Sequence, residues 1–301
     1  MGESINPRDL VSQEVLRELS TRSNGPALAR LAAHLAILAA TGALIWISRG
    51  TWCVVPAMLA HGFFLFMLFM AHHECIHQTA FRTQWMNQAV NWVFGLIVFY
   101  PPEYFRFFHL THHRFTQDLE RDPEILPRPY HTRAGYLWWI TGIPYLKRRF
   151  TTSLKHAVSG KVPQPFVPEH RRAAIVREAR IVWLVYAIVI VAAALFDPWA
   201  PILYWLGPYA LTQPFFRWYQ LGEHGGAEYS DYTVRNTRTT YSNAFMRWIA
   251  WNMPYHTDHH LYPGVPFHAL PRLHELVKHR LEVVSPGYVR LNVDIWKGLA
   301  R

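Results

Sequence analysis

The sequence predicts an all-α integral membrane fold: four transmembrane helices in two hairpins, beneath a helical cap. Three observations carry this. Hydrophobic residues make up 51% of the 301 and fall in long blocks, the pattern of membrane spans rather than of a mixed soluble core. The blocks come in pairs joined by short turns, at Arg49-Gly50 and Asp197-Pro198. Half of the eighteen histidines fall in or near clusters that lie after the blocks, and only His34 and His61 lie within them.

One domain covers 1–301. Residues 1–26 form a polar lead-in with a short amphipathic helix near 11–19, ending at Asn24-Gly25-Pro26. No basic segment precedes an apolar core there, so a cleaved signal peptide is not expected. The first hairpin, 27–70, has spans at 31–47 and 52–70. Residues 71–177 are a mostly polar region. Within it, 89–100 is apolar but too short to cross a membrane, which takes about 20 residues, and Pro101-Pro102 ends it. The second hairpin, 178–216, has spans at 181–196 and 199–216, the latter interrupted by Pro201, Gly207, Pro208 and Pro214. Residues 217–301 complete the cap.

Histidines organise the polar parts. In AHHECIH, His73 and His77 lie four apart, hence on one helical face. HLTHH supplies His109, His112 and His113, and HTDHH supplies His256, His259 and His260, each at i, i+3 and i+4. His224, in GEHGG after the fourth block, is a ninth candidate. Neutral imidazole suits iron, copper, zinc and nickel. Nine exceed what one ion uses, so two metals are implied. His72 offers an alternative spacing to His77. His34, His61, His131, His156, His170 and His279 are read as packed or hydrogen-bonded, and His268 and His274 as packed in the C-terminal segment.

Two cysteines, Cys53 and Cys75, form no CxxC, which argues against a disulfide framework, a Cys-ligated zinc site and an iron–sulfur cluster. The formal net charge is +10. Residues 103–177 hold thirteen Lys and Arg against six Asp and Glu, while the opposite turns hold little charge. Positive loops stay in the cytoplasm. The charge is therefore explained by topology, with no nucleic-acid partner. Two crossings, a segment that only dips, and two further crossings place every histidine cluster on that same cytosolic side.

The order HECIH, HLTHH, HTDHH resembles the three histidine boxes of the membrane fatty acid desaturase and hydroxylase family, across residues 31–275. NMPYHTDHHLYPGVPFHALPRLH is similar to the third box and flank of acyl-lipid desaturases, and to that of carotenoid ketolases. The resemblance implies a non-heme centre of two iron ions, O2 as oxidant and a lipid acyl chain as substrate. It implies His73, His77, His109, His112, His113, His224, His256, His259 and His260 as ligands. Gln220, one turn before His224, is a candidate for holding a metal-bound water. No HPGG marks a fused cytochrome b5 module. Electrons are expected from an external ferredoxin, or from cytochrome b5 with its reductase, received on the basic surface of 103–177. A bacterial inner membrane is the expected location.

The chemistry points the same way. Removing hydrogen from an unactivated CH2 needs a redox metal and oxygen, which zinc and side chains cannot replace. Glu74, Asp118, Glu223 and Asp258, each near a histidine in sequence, are candidates for orienting the rings. Hydroxylation and ketone formation remain open on the same scaffold. A metal transporter is the alternative of another class, disfavoured because transport needs ionisable groups within the spans.

Overall fold

The computed structural model describes residues 10–125 and 130–300. The chain is mainly helical. Helix α1 (Gln13–Leu19) starts at Ser12, whose hydroxyl accepts the Val15 N–H. Pro26 then sits in the first turn of α2 (Gly25–Ser48), where its missing N–H costs nothing. Helix α3 (Val54–Ile76) returns, followed by α4 (Gln84–Ile97) and α5 (Pro102–Arg114). Helices α6 (Arg133–Ile140) and α7 (Ile143–Ser159) lead to the long α8 (Glu169–Phe196).

Three helices, α2, α3 and α8, are long and apolar enough to cross a membrane. In α3, 56% of the apolar window is buried, against 17% in α2 and 11% in α8, so α3 is the central post. The outward sides of α2 and α8 show Leu35, Leu44, Ile188 and Leu195, the exposure expected of helices facing lipid. Inside, His34 Nε2–H donates to the Phe64 carbonyl at 2.8 Å, and His61 lies 2.8 Å from the Thr41 hydroxyl and 3.1 Å from the Tyr204 carbonyl. Both histidines are thus committed to helix packing, as the sequence suggests. At the far end Arg49 pairs with Asp197 at 2.5 Å, joining the two short turns.

The expected fourth span, 199–216, is broken. A π-helical turn (Ile202–Leu206) runs into α9 (Gly207–Leu211), and after Thr212 a new helix, α10 (Gln213–His224), begins. Its continuous apolar part is only Ile202–Leu211, short of the length of a span. Pro208 and Pro214 stand at the breaks, where each removes a backbone donor and clashes with the turn before it, while Pro201 opens the stretch. The break lets the chain crowd α3: a side chain at Gly62 would collide with the Pro208 carbonyl and Thr212. Helix α4 has 14 residues, fewer than a membrane span needs.

The remainder forms the cap: α11 (Thr233–Asn236), α12 (Ala244–Ile249), α13 (His256–Leu261), α14 (Leu270–Val277) and α15 (Tyr288–Gly298). Two short strands, β1 (Thr239–Thr240) and β2 (Val284–Ser285), pair in parallel, Thr239 opposite Val284. An aromatic core lies directly below the histidines. Phe66 stacks on Phe216 with centroids 5.0 Å apart, and Phe69 meets Phe105 at 5.5 Å. Glu178 of α8 accepts the Glu103 and Tyr104 N–H groups at 2.7 and 3.1 Å. It therefore caps α5 from outside and fixes the helix that carries the second box.

Candidate metal centre

The structure brings all nine candidate histidines into two adjacent groups. His73, His77, His109, His113 and His259 form one, and His112, His224, His256 and His260 the other; within each group the ligand atoms lie within 4.8 Å of one another. Four elements deliver them: the end of α3, α5, the last residue of α10, and α13. Each HxxHH is split. His109 and His113 go to one group and His112 to the other; His256 and His260 go together and His259 opposite. Helical geometry explains the split. Position i+4 falls about 40° to one side of i and i+3 about 60° to the other, so one face can serve two adjacent centres. His224 joins the second group, completing it to four.

The ring nitrogens meet at short range. His77 Nε2 lies 2.9 Å from His109 Nε2, which lies 3.0 Å from His113 Nε2. His224 Nε2 lies 3.1 Å from His112 Nε2 and 2.9 Å from His256 Nε2. Two nitrogens holding one ion at about 2.0–2.1 Å, at right angles, sit about 2.9 Å apart. Both nitrogens of His73 and His259, with His260 Nε2, are buried and have no hydrogen-bond partner among the described residues. Unpaired buried polar atoms are costly. An all-imidazole set with such orphaned nitrogens fits borderline metals such as iron and not magnesium or calcium.

The outer nitrogens fix the rings. His112 Nδ1–H donates to both Asp122 oxygens at 3.0 Å. Asp122 also accepts the Gln117 and Glu124 N–H groups at 2.8 and 2.9 Å. Against its burial, the His112 ring and these N–H groups hold the Asp122 carboxyl below its ordinary range. Gln117 has φ 64°, an uncommon conformation that folds the chain back to place Asp122 under His112. His224 Nδ1–H donates to the Asn236 carbonyl at 3.2 Å, and His260 Nδ1–H to the Thr116 hydroxyl at 3.2 Å. Each of these rings thus turns Nε2 inward. Burial pushes His77 and His224 down to about 3, with Arg106 adding at His77 and His112 at both. His112 differs: burial opposes its charged form, but Asp122, Glu124 and Glu223 together raise it to about 9.

Several other candidates serve elsewhere. Asp118 is an outer residue that pairs with Arg121, and Asp122 takes the orienting role instead. Glu74 accepts from the Thr79 hydroxyl at 2.8 Å and the Phe267 N–H at 3.3 Å, tying α3 to the cap. Asp258 binds His274 Nδ1–H at 3.0 Å and the Thr239 hydroxyl at 3.1 Å, pinning α13 to its neighbours. Glu223 is buried, which pushes its carboxyl well up, with Glu124 adding. His72 stacks on Phe105 at 4.9 Å and donates to the Asn91 carbonyl, outside both groups. His156 binds Gln164 at 2.9 Å, whereas His131, His170 and His279 are exposed rather than packed, because their segments lie on the outside of the fold. Asp122, Thr116 and Asn236 escape sequence reasoning. Asp122 reaches His112 through a left-handed turn, not through helical spacing.

Two cavities meet at the metal groups. A small chamber touches Phe69, Phe105, His73, His112, His224 and His256. A larger cavity of about 690 Å³ opens outward past Trp138, Trp139, Gln220, Leu221 and Ile295. Glu124, Tyr145, Glu223 and His224 line both. A third, narrow apolar cavity beside Tyr104, Phe108 and Ile175 also ends on Glu124 and Tyr145.

Comparison with known proteins agrees with this arrangement. The chain is 22% identical over 278 residues to a sn-1 oleoyl-lipid 12-desaturase of Picosynechococcus sp., covering 81% of this chain and 75% of that protein. It is 26% identical over 242 residues to a sphingolipid delta(4)-desaturase of Drosophila melanogaster, covering 76% and 67%. It is also 26% identical over 244 residues to a dihydrorhizobitoxine desaturase of Bradyrhizobium elkanii, covering 74% and 66%. The sequence model of the fatty acid desaturase domain matches residues 49–291, and with its membrane helices and paired histidine groups the chain belongs to the fatty acid desaturase family.

Proposed function

We propose that the chain is an O2-dependent desaturase of lipid acyl chains with two non-heme iron ions. One observation carries this: two adjacent all-imidazole groups, of five and four ligand atoms, set above apolar helices and opening onto a cavity. His73, His77, His109, His113 and His259 would hold one iron, and His112, His224, His256 and His260 the other. When bound, iron with O2 supplies the oxidising power to break an unactivated C–H bond. The reaction removes two hydrogens from adjacent carbons. With two electrons and two protons from outside, O2 leaves as two waters.

The protein's own residues position and enclose. Asp122, Asn236 and Thr116 hold the rings that face inward. Phe69, Phe105 and Met70 keep the chamber dry. Tyr145 and Glu124 stand where the three cavities meet, so a chain reaching the metals passes them. We place the site on the cytosolic side of a bacterial inner membrane, on the charge of 103–177, with the broken 199–216 stretch completing the second hairpin. A ferredoxin, or cytochrome b5 with its reductase, is the electron source. Arg149 is buried and so is lost to that basic surface. Transport fits less well, since His34 and His61, the histidines deep within the candidate spans, both have protein partners.

The test is expression in a bacterial host, metal analysis of the purified protein, and mass spectrometry of total lipids. Two irons per chain and an oxygen-dependent product about 2 Da lighter are expected; a gain of about 16 or 14 Da would instead assign hydroxylation or ketone formation. One zinc and no iron would refute the proposal.

A further inference from the structure

Two arginines clasp one tyrosine ring beside the metal chamber. The guanidinium carbon of Arg217, on α10, lies 3.7 Å from the Tyr145 ring centre, and that of Arg149, on α7, 4.1 Å. Arg217 is 1% exposed and Arg149 8%. Arg149 is engaged: it donates to the Val98 carbonyl at 3.0 Å and the Tyr145 hydroxyl at 2.5 Å. Arg217 is not. Its Nε and one terminal nitrogen are buried without a hydrogen-bond partner, and neither arginine forms an ion pair among the described residues. Two like charges on one ring with no carboxylate in direct contact are an expensive arrangement for a protein interior.

Arg217 lines the 690 Å³ cavity beside Tyr145, Glu223 and His224, on the route to the metal chamber. Glu124 and Glu223 line the same wall, but neither comes within 4.0 Å of the guanidinium, and Glu124 lies 3.6 Å from His112 Nδ1. A guanidinium presents parallel N–H groups that match a carboxylate in two-pronged fashion. We propose that Arg217 receives a free carboxylate of the substrate. This rests on the desaturase reading and narrows its substrate class: a chain ending in an acid, whose carboxylate sits close to the carbons attacked, rather than a chain esterified in a neutral lipid. A phosphate head group fits less well. In a glycerolipid, glycerol separates it from the chain, and the chamber past Tyr145 has little room for both.

The test uses the full-length, iron-loaded protein in nanodiscs and isothermal titration calorimetry with three probes: sodium hexanoate, 1-hexanol and hexyl phosphate. Hexanoate is expected to bind about ten-fold tighter than hexanol, the worth of one charge-assisted pair. Arg217→Gln should erase that preference and Arg217→Lys should keep part of it. Arg280→Gln, on an exposed turn, should keep all of it. Equal affinity for hexanoate and hexanol in the wild type overturns the proposal without any variant, so an Arg217→Gln protein that fails to fold does not spoil the test. A preference for hexyl phosphate over hexanoate also overturns it. The desaturase reading fails by a different result, absence of iron or of an oxygen-dependent product, whereas these affinities are read without turnover.

Discussion

Asp122 holds His112 by both carboxylate oxygens, each 3.0 Å from Nδ1, from a position ten residues along the chain. This pair decides which nitrogen His112 turns toward the metal group. It also marks how far sequence reasoning reaches, because Asp118, four residues earlier, carries the same chemistry and faces outward.

Asp122→Asn is therefore expected to weaken metal binding at the second group by roughly 10–100-fold, the usual effect of losing a ligand's outer partner. Iron per chain, measured after dialysis against a weak chelator, checks this. Asp118→Asn should retain the wild-type content, and equal losses in both variants would remove the special role of Asp122.

His224→Ala should lose activity and part of its iron while staying folded in the membrane. His279→Ala, at an exposed turn, should keep both. The GEHGG context supports this: a side chain at Gly225 would crowd the Leu221 carbonyl and Ile295, so α15 can approach His224 only over glycine. Full iron in His224→Ala would leave eight imidazoles for the two metals.

Cys53 is exposed in the turn between α2 and α3, beside the Arg49–Asp197 pair, and is a native topology probe. It should be labelled from the side opposite to cysteines placed at Lys155 and Arg280 in a Cys53→Ser background. Labelling of all three from one side would overturn the two-hairpin arrangement.

Gly62→Leu should destabilise the protein by roughly 1–3 kcal/mol, because the side chain would drive α3 and α9 apart. Thermal unfolding in detergent measures this. An unchanged midpoint would mean that the broken stretch yields freely.

The metal-free protein should be most stable near neutral pH. His77 and His224 are held at about 3, whereas an unfolded histidine gains its proton near about 6.5. Their stabilising contribution is full above 6.5 and is lost as pH falls toward 3. His112, raised to about 9, works oppositely: its contribution is full below 6.5 and is lost as pH rises through 9. Unfolding midpoints across pH 5–10 check both limbs, and a midpoint that climbs as the pH is lowered from 7 to 5 contradicts the argument.

The first three spans and the histidine spacing were legible because both rest on local repeats: block length for the spans, and i to i+4 for the rings. The short length of the apolar stretch near 89–100, part of the helix at 84–97, and the lead-in helix were legible for the same reason. What the sequence hid depends on distant chain segments. The prolines and glycine that interrupt the fourth block were visible in the sequence, but how far they shorten its apolar helix against α3 was not. Arg149, counted in the basic stretch 103–177, reads as cytosolic charge, while folding buries it with Arg217 against Tyr145. The split of each HxxHH between two groups follows from where α3, α5 and α13 cross, which no single segment records.

The nine imidazoles also have a consequence for how the molecule is assembled. They join positions from His73 to His260, and no disulfide links these segments, the two cysteines being free. Two ions gripped by four elements would act as cross-links closing long loops, so that metal loading and closure of the cap become one cooperative event. A cell short of iron would then hold not an idle enzyme but an unfinished one, its cap loosened and open to proteases.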